Sequence, residues 1–192
     1  RLLSEELVTT LIEKKKESPN IIIWLITDPL NTIYGSYESP QLAQLRKHGI
    51  SVILTNLTKL RDSNPLYSMW WRTFLRHMPN IGGAWLPNML DAEKPKVTLS
   101  SYLTLFNFKA NHRKLIVADS MKNESRIWRT LITSANPHDG SSEHSNIALM
   151  IESAPLASST VRSEQAVATM ADVDFLSPAI DTNAAMVSSD IS

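Results

Sequence analysis

The first half of the chain alternates between helical and strand-like hydrophobic patterns. Apolar residues recur at helical spacing over 4–16, where acidic residues come first and three lysines come last, as suits a helix dipole. The continuous apolar run 21–27 is typical of a central strand covered on both faces, and the run 51–55 predicts a second strand. The segment 39–49 between them has a helical pattern that ends at a glycine, so the two strands are expected to pair in parallel.

An aromatic segment with a helical pattern follows over 66–78. Its large and basic residues include Tyr67, Met69, Trp70, Trp71, Phe74, Arg72 and Arg76. A helix of this composition can lie at a lipid interface or line a substrate groove, but such side chains more commonly form core. We predict that this helix packs into the core, and lipid contact is the alternative.

One predicted strand carries a histidine and a lysine two residues apart. Residues 112–119 combine polar ends with a short apolar run that contains two β-branched residues, a pattern typical of a buried strand. Side chains alternate along a strand, so His112 and Lys114 point to the same face and Asp119 points to the other.

A second predicted strand, 130–136, comes next in the sequence. Its alternation puts Ser134 and Asn136 on one face. If the two strands pair side by side, an imidazole, an ammonium, a hydroxyl and a carboxamide converge. Such a set can attack a phosphate and hold its oxygens, because it combines a nucleophile or base, a cation and two neutral hydrogen-bonding groups.

The pattern His112-x-Lys114-(x)4-Asp119 followed by Ser134-x-Asn136 resembles the signature of the phospholipase D superfamily, whose members cleave or transfer phosphodiesters through a phosphohistidine. The resemblance extends over residues 20–152. It departs at position 133, where the family usually has glycine and this chain has threonine. The segment 120–133 is also longer than usual, and we interpret it as an extended hairpin loop.

The resemblance implies a role for each of these residues. His112 would attack phosphorus and form the covalent intermediate, while Lys114, Ser134 and Asn136 hold the non-bridging oxygens. Asp119 is expected to brace the strand rather than touch the substrate. The family needs no metal or other cofactor, so none is expected.

The carboxylate that orients the nucleophilic histidine in many family members has no assigned counterpart. By register its place falls on Ala148, with Glu143 as a nearby substitute, and the sequence leaves the choice open. His138, Asp139 and His144 lie in the same polar loop and are not expected to bind a metal.

Members of the family build one active site from two copies of the motif, and this chain holds one. None of its other four histidines is followed by lysine two residues on. The chain therefore resembles the N-terminal half of a two-motif protein, and as a monomer it is expected to have little activity. The second copy is expected beyond Ser192 in a longer protein, which the first residue Arg1 favours, or in the mate of a homodimer.

Composition narrows the classes of function. The chain has 19 basic and 19 acidic residues, and this balance argues against a protein specialised for non-specific nucleic-acid binding. It has no cysteine, which excludes disulfides and thiolate metal sites. No apolar run reaches the roughly 18 residues of a membrane span.

A local excess of basic residues between Lys109 and Arg129 is expected to attract a phosphate-bearing substrate.

These features together predict an α/β fold with a mixed sheet sandwiched by helices, and the resemblance implies that it is arranged as a phospholipase D-like half. The catalytic half-domain is expected over 1–170, with its last helix at 158–170. Residues 171–192 are expected to form a disordered tail or the start of another element. The favoured function is phosphodiester hydrolysis or transfer on a phospholipid, with peripheral membrane contact. The alternatives are a nuclease of the same superfamily and a non-catalytic binding module with the same fold.

Overall fold

The computed structural model describes residues 3–32, 37–60, 64–74, 83–88, 95–105, 109–136, 145–173 and 180–182. In this part of the chain the helices are α1 (Leu3–Glu17), α2 (Pro40–Lys47), α3 (Pro65–Thr73), α4 (Leu99–Leu105) and α5 (Ala154–Met170). The strands are β1 (Trp24–Thr27), β2 (Ser51–Leu54), β3 (Leu115–Lys122), β4 (Ser125–Thr133) and β5 (Ala148–Glu152). The α/β class is confirmed, but the described strands form two small sheets and not one mixed sheet.

The chain divides into two compact units. Unit 1 comprises residues 1–14 and 112–192, and unit 2 comprises residues 15–111. Helix α5 ends at Met170, where the predicted half-domain also ends. The half-domain over 1–170 itself stays a prediction.

Unit 2 contains the predicted strand, helix, strand arrangement. β1 and β2 are parallel, with Trp24 opposite Ser51 and Thr27 opposite Leu54, and α2 packs against β2. Leu45 of α2 is buried together with Ile53 of β2. The parallel pairing is therefore confirmed. β1 is shorter than the apolar run that predicted it and begins only at residue 24. The side chains before residue 24 are partly or fully exposed.

A polar cluster in unit 2 joins the ends of these strands to the segment that leads into the second half of the chain. Asp28 follows β1, and its carboxylate accepts hydrogen bonds from the hydroxyl of Thr55 and, at 2.5 Å, from the backbone N–H of Asn111. Lys109 is buried, and its ammonium donates to the carbonyl of Leu60 at 2.8 Å. The chain immediately before His112 is thus fixed by side-chain bonds.

Helix α3 departs from its predicted core position. Asn64 caps its first turn by accepting from the N–H of Tyr67. The residue that the helix buries is Ser68, at 1% exposure, whereas Trp70 is 58% and Phe74 57% exposed. Leu66 and Met69 are exposed on the same side. The core prediction is wrong for these side chains, because the helix packs through the side that carries Ser68 with half-buried Tyr67 and Trp71. The predicted end at 78 lies outside the described residues.

Unit 1 contains an antiparallel sheet in the order β3-β4-β5. Leu115 pairs with Ile132 at one end of the β3–β4 hairpin and Lys122 pairs with Ser125 at the other. The turn consists of Asn123 and Glu124, whose φ angles of 48° and 64° are those of the tight hairpin turn that matches strand twist. The interpretation of 120–133 as a hairpin loop is therefore wrong, because most of that segment is paired strand.

Helix α5 covers one face of this sheet. It packs on β4 and β3, and the buried residues of β4, Trp128 and Thr130, share one face. On the opposite face, Ile116 and Met150 are exposed. The helix begins at Ala154 and not at 158, because Ser153 caps it by accepting from the N–H of Leu156. In the described part of unit 1, the sheet is therefore not enclosed by helices on both faces.

Candidate active site

The two motif segments meet at the open end of the β3–β4 hairpin. His112 and Lys114 precede β3, which begins three residues later than His112, and Ser134 and Asn136 follow β4. The backbone N–H of Thr133 donates to the carbonyl of Lys114 at 3.0 Å, so the segments are directly paired. Four of the five predicted site residues are thus brought to one end of one hairpin.

The register differs from the one that the predicted convergence requires. Lys114 lies opposite Thr133, and one step further along the ladder Arg113 faces Ser134. Strand alternation therefore gives Lys114 the hydroxyl of Thr133 as its cross-strand neighbour. It does not by itself bring Ser134 to the Lys114 side, and both segments have left regular strand geometry at these positions. In the sequence, Thr133 stood out only as a departure from the family pattern.

The nucleophile candidate is accessible. His112 is exposed, and no hydrogen bond to its ring is found among the described residues. Lys114 is half-buried, and its ammonium donates to the carbonyl of His112 at 3.0 Å. This bond holds the cation close to the backbone that carries the imidazole. An accessible imidazole next to an ammonium is suited to receive an anionic phosphodiester.

Ser134 is held by its own neighbours. Its hydroxyl accepts from the N–H of Ile147 at 3.0 Å and donates to the side chain of Asn146 at 3.1 Å. The N–H of Ser134 also donates to the carbonyl of Ile147 at 2.9 Å. These bonds fix the end of β4 against the segment that leads into β5. Asn136 is exposed next to this anchored position.

Asp119 lies away from the other four predicted site residues. It is four residues into β3 from Leu115, about 13 Å along the strand, which is too far to share a phosphate with them. Its carboxylate accepts from Nε of Arg126 at 2.7 Å across the hairpin. Arg126 also lies over the ring of Trp128, 5.0 Å from its centroid. Asp119 therefore links the two strands of the hairpin through an exposed ion pair, and its bracing role stays a prediction.

Most of the basic cluster around the site is paired within the protein. The four residues that contact carboxylates are Arg113 with Glu164, Lys122 and Arg129 with Glu152, and Arg126 with Asp119. Lys109 and Lys114 donate to carbonyl oxygens. In the described part of the chain, Lys114 makes no ion pair with a carboxylate. Among the described basic residues of this cluster, Lys114 is therefore the one at the site whose charge no described carboxylate balances, and it is placed to compensate a phosphate.

Arg113 contacts α5. Its Nη1 donates to the hydroxyl of Ser163 and lies 3.2 Å from Oε1 of Glu164. Burial raises the pKa of Glu164, and the guanidinium of Arg113 opposes that rise without cancelling it. The sequence contained a signal for a buried carboxylate but not for its partner, because Glu164 interrupts a stripe of small apolar residues on α5.

No carboxylate that could orient His112 is found in contact with it among the described residues. Ala148 lies opposite Thr133, which lies opposite Lys114, so position 148 shares a row with the site but offers no carboxylate. Glu143 lies outside the described residues, as do His138, Asp139 and His144. Where side chains are described, no group of three or more metal-ligating residues occurs.

None of the described helices is long and apolar enough to cross a membrane. No family model matches the chain, and no curated protein and no solved structure is significantly similar to it.

Proposed function

We propose that this chain is a phospholipase D-like half that hydrolyses or transfers phosphodiesters on a phospholipid through a phosphohistidine at His112. The observation that carries the proposal is the pairing of Lys114 with Thr133. It joins the His112-x-Lys114 segment to the Ser134-x-Asn136 segment at one end of one hairpin.

The proposed reaction assigns a step to His112 and to Lys114. An imidazole nitrogen of His112 attacks phosphorus, and the bond from phosphorus to the leaving oxygen breaks. The ammonium of Lys114 compensates the charge on the non-bridging oxygens, as a preorganised cation does in other phosphoryl transfers. Water or an alcohol then attacks the phosphohistidine and releases His112.

The leaving oxygen needs a proton, and the proposed source is the histidine of a second motif. General acid catalysis of this kind contributes roughly a hundredfold to ten-thousandfold. The proposed partner is therefore a second motif copy, from a longer chain in the favoured version or from a homodimer mate in the other. The chain alone as a monomer is expected to turn over a generic phosphodiester slowly or not at all.

The surface of α3 supports a lipid substrate over a nucleic acid. Leu66, Met69, Trp70 and Phe74 are exposed together, and the rings of Trp70 and Phe74 are 5.0 Å apart. The sequence has no acidic residue between 63 and 90, and it has two arginines there. Exposed aromatic and apolar side chains with basic neighbours suit the interface of an anionic bilayer. This face is the proposed site of peripheral membrane contact, and the balanced net charge makes a nuclease the second candidate.

Trapping of the covalent intermediate tests the chemistry. We expect an alkaline quench after exposure to a phosphodiester that has radiolabelled phosphorus and a nitrophenol leaving group, which departs without a proton, to leave a base-stable, acid-labile label on His112. His112→Asn removes the label and leaves the fold intact, whereas His48→Asn, at the end of α2, serves as the matched control and keeps it. Retained labelling in His112→Asn would falsify the proposed nucleophile.

The oligomeric state has to be measured with the assay. Sedimentation alongside turnover decides between the two sources of the second motif, because an active dimer supports the homodimer version. Robust turnover by a monomer contradicts the proposal that this chain holds only half of an active site.

The substrate class is tested by two comparisons. A lipid enzyme requires vesicles or micelles, while a nuclease binds oligonucleotides with a steep salt dependence.

A further inference from the structure

Helix α5 carries one carboxylate on its buried stripe. The buried residues of this helix are Ala157, Val161 and Ala168. Glu164 is three residues after Val161 and four before Ala168, so it lies on the same side of the helix, toward the sheet. Its side chain is 14% exposed. A charged group in this position requires a partner, because an ionised carboxylate loses its hydration there.

That partner is Arg113, the residue between His112 and Lys114. Nη1 of Arg113 lies 3.2 Å from Oε1 of Glu164, and it also donates to the hydroxyl of Ser163. Oε1 of Glu164 accepts no well-aligned hydrogen bond from the described residues, so charge, more than hydrogen-bond geometry, holds the pair.

The direction of Arg113 determines the direction of its neighbours. Successive side chains of an extended chain point to opposite sides, so a residue held on the α5 side sends the residues before and after it to the other side. His112 is exposed, and so are Ile116 and Ala118, which have the same parity in β3. Arg113 contacts the helix. The bond between Thr133 and Lys114 continues the strand pairing, so alternation assigns the imidazole and the ammonium to the side away from the helix.

Stabilisation of the fold does not account for this ion pair. The pKa of Glu164 is raised by burial even though Arg113 acts against the rise, so ionised Glu164 lowers the stability of the fold. Half-buried ion pairs often stabilise a protein less than apolar residues in their place, and some of them fix one arrangement of the chain.

We propose that Arg113 and Glu164 are positioning residues, which hold the strand entrance on α5 so that His112 and Lys114 are presented on the opposite side. The inference rests on the proposed function, because the site that they position is the phosphohistidine site. Neither residue touches the substrate. Their effect reaches the reaction through the orientation of His112 and Lys114.

A double-mutant cycle on the whole 192-residue chain tests this role. The variants are Arg113→Met, Glu164→Gln and the two together. The measured quantity is the rate at which diethyl pyrocarbonate modifies His112, relative to His48 in the same sample, followed by mass spectrometry. Hydrogen exchange across β4 shows that unit 1 remains folded during the reaction.

We expect each single variant to change the relative rate severalfold and the double variant to match Arg113→Met, because residues that act as one unit are not additive. Arg113→Lys keeps the charge and partly restores the wild-type rate. Arg126→Met, the matched arginine near the hairpin turn, leaves it unchanged. If the pair had a merely structural role, its loss would speed hydrogen exchange in unit 1 without a selective change at His112.

Additive effects, or an unchanged His112 rate in Arg113→Met, overturn the inference. The proposed function is judged separately by the phosphodiester label. A labelled His112 with no coupling in the cycle keeps the function and removes the positioning role. Coupling in the cycle with no label, in monomer or dimer, supports the placement of His112 and overturns the function.

Discussion

Two ion pairs of the β3–β4 hairpin differ in geometry and in burial. Arg126 and Asp119, near the turn, are 2.7 Å apart and well aligned, with side chains 53% and 40% exposed. Arg113 and Glu164, at the open end, are 3.2 Å apart, with side chains 36% and 14% exposed. The exposed pair has the better geometry, but both of its members keep most of their hydration. The loss of water around Glu164, more than the distance, makes the second pair consequential.

The largest expected effect comes from removing the partner of the buried carboxylate. Arg113→Met should lower the free energy of unfolding by about 1–2 kcal/mol, less than for a fully buried pair because Arg113 is partly solvated. Arg126→Met, the matched change in the exposed pair, should cost about 0.5 kcal/mol or less. Urea unfolding followed by circular dichroism measures both, and equal losses would show that burial does not separate the pairs.

A neutral polar group under the same helix sharpens the comparison. Thr130 is fully buried on β4, and its hydroxyl has no hydrogen-bond partner among the described residues. Thr130→Val should therefore raise the free energy of unfolding by about 1 kcal/mol. Thr133→Val is the control, because that hydroxyl donates to Ile147 and accepts from Ala135, and its removal should destabilise. Thermal unfolding shifts of the same sign in both variants would contradict this account.

The pH dependence of the buried pair comes next. Because the folded protein raises the pKa of Glu164 above its ordinary 4.5, Glu164 stabilises the fold when protonated. That contribution is present below pH 4.5 and is lost as pH rises through the higher folded pKa. Glutamine resembles the protonated form, so Glu164→Gln should gain stability relative to wild type as pH rises from 4 towards 7. Urea titrations at each pH measure the free energy of unfolding of both proteins. If Glu164→Gln lost stability relative to wild type over this range, burial would not be raising the pKa of Glu164.

The smallest effect is expected at the motif aspartate. Asp119→Asn should change the free energy of unfolding by about 0.5 kcal/mol or less, because the pair that it breaks is exposed. Labelling of His112 should persist, since the carboxylate is in the middle of β3 and away from the open end of the hairpin. Loss of the label in a folded Asp119→Asn protein would give Asp119 a direct part in the chemistry.

Local patterns predicted much of this fold from the sequence. The parallel pair around α2 followed from an apolar run, a Ser-Pro helix start and a glycine end. The hairpin turn was not predicted, because Asn123 and Glu124 adopt positive φ without a glycine to signal it. The aromatic residues of α3 were assigned to the core from composition alone, which carries no information about the side of the helix that packs.

The site was predictable as a set of residues and not as an arrangement. Spacing identified His112 and Lys114, and their placement on one side of the chain stays a prediction, because both residues precede β3. The cross-strand register depends on the turn position, so it could not be derived while 120–133 was taken for a loop. The contact between Arg113 and Glu164 joins residues fifty-one positions apart, and no local pattern specifies such a pair.

The two-residue turn at Asn123-Glu124 also has a consequence for the order of assembly. A hairpin with so short a connection forms its first pairs within about 1–10 microseconds, and zips away from the turn. The residue pairs next to the turn form from neighbouring parts of the chain alone, whereas the pair Lys114 and Thr133 is the last to form. The anchor of that end is on α5, which is made later in the chain. His112 and Lys114 therefore acquire their arrangement late in folding, and the end that carries them is the first to fray when the protein is destabilised.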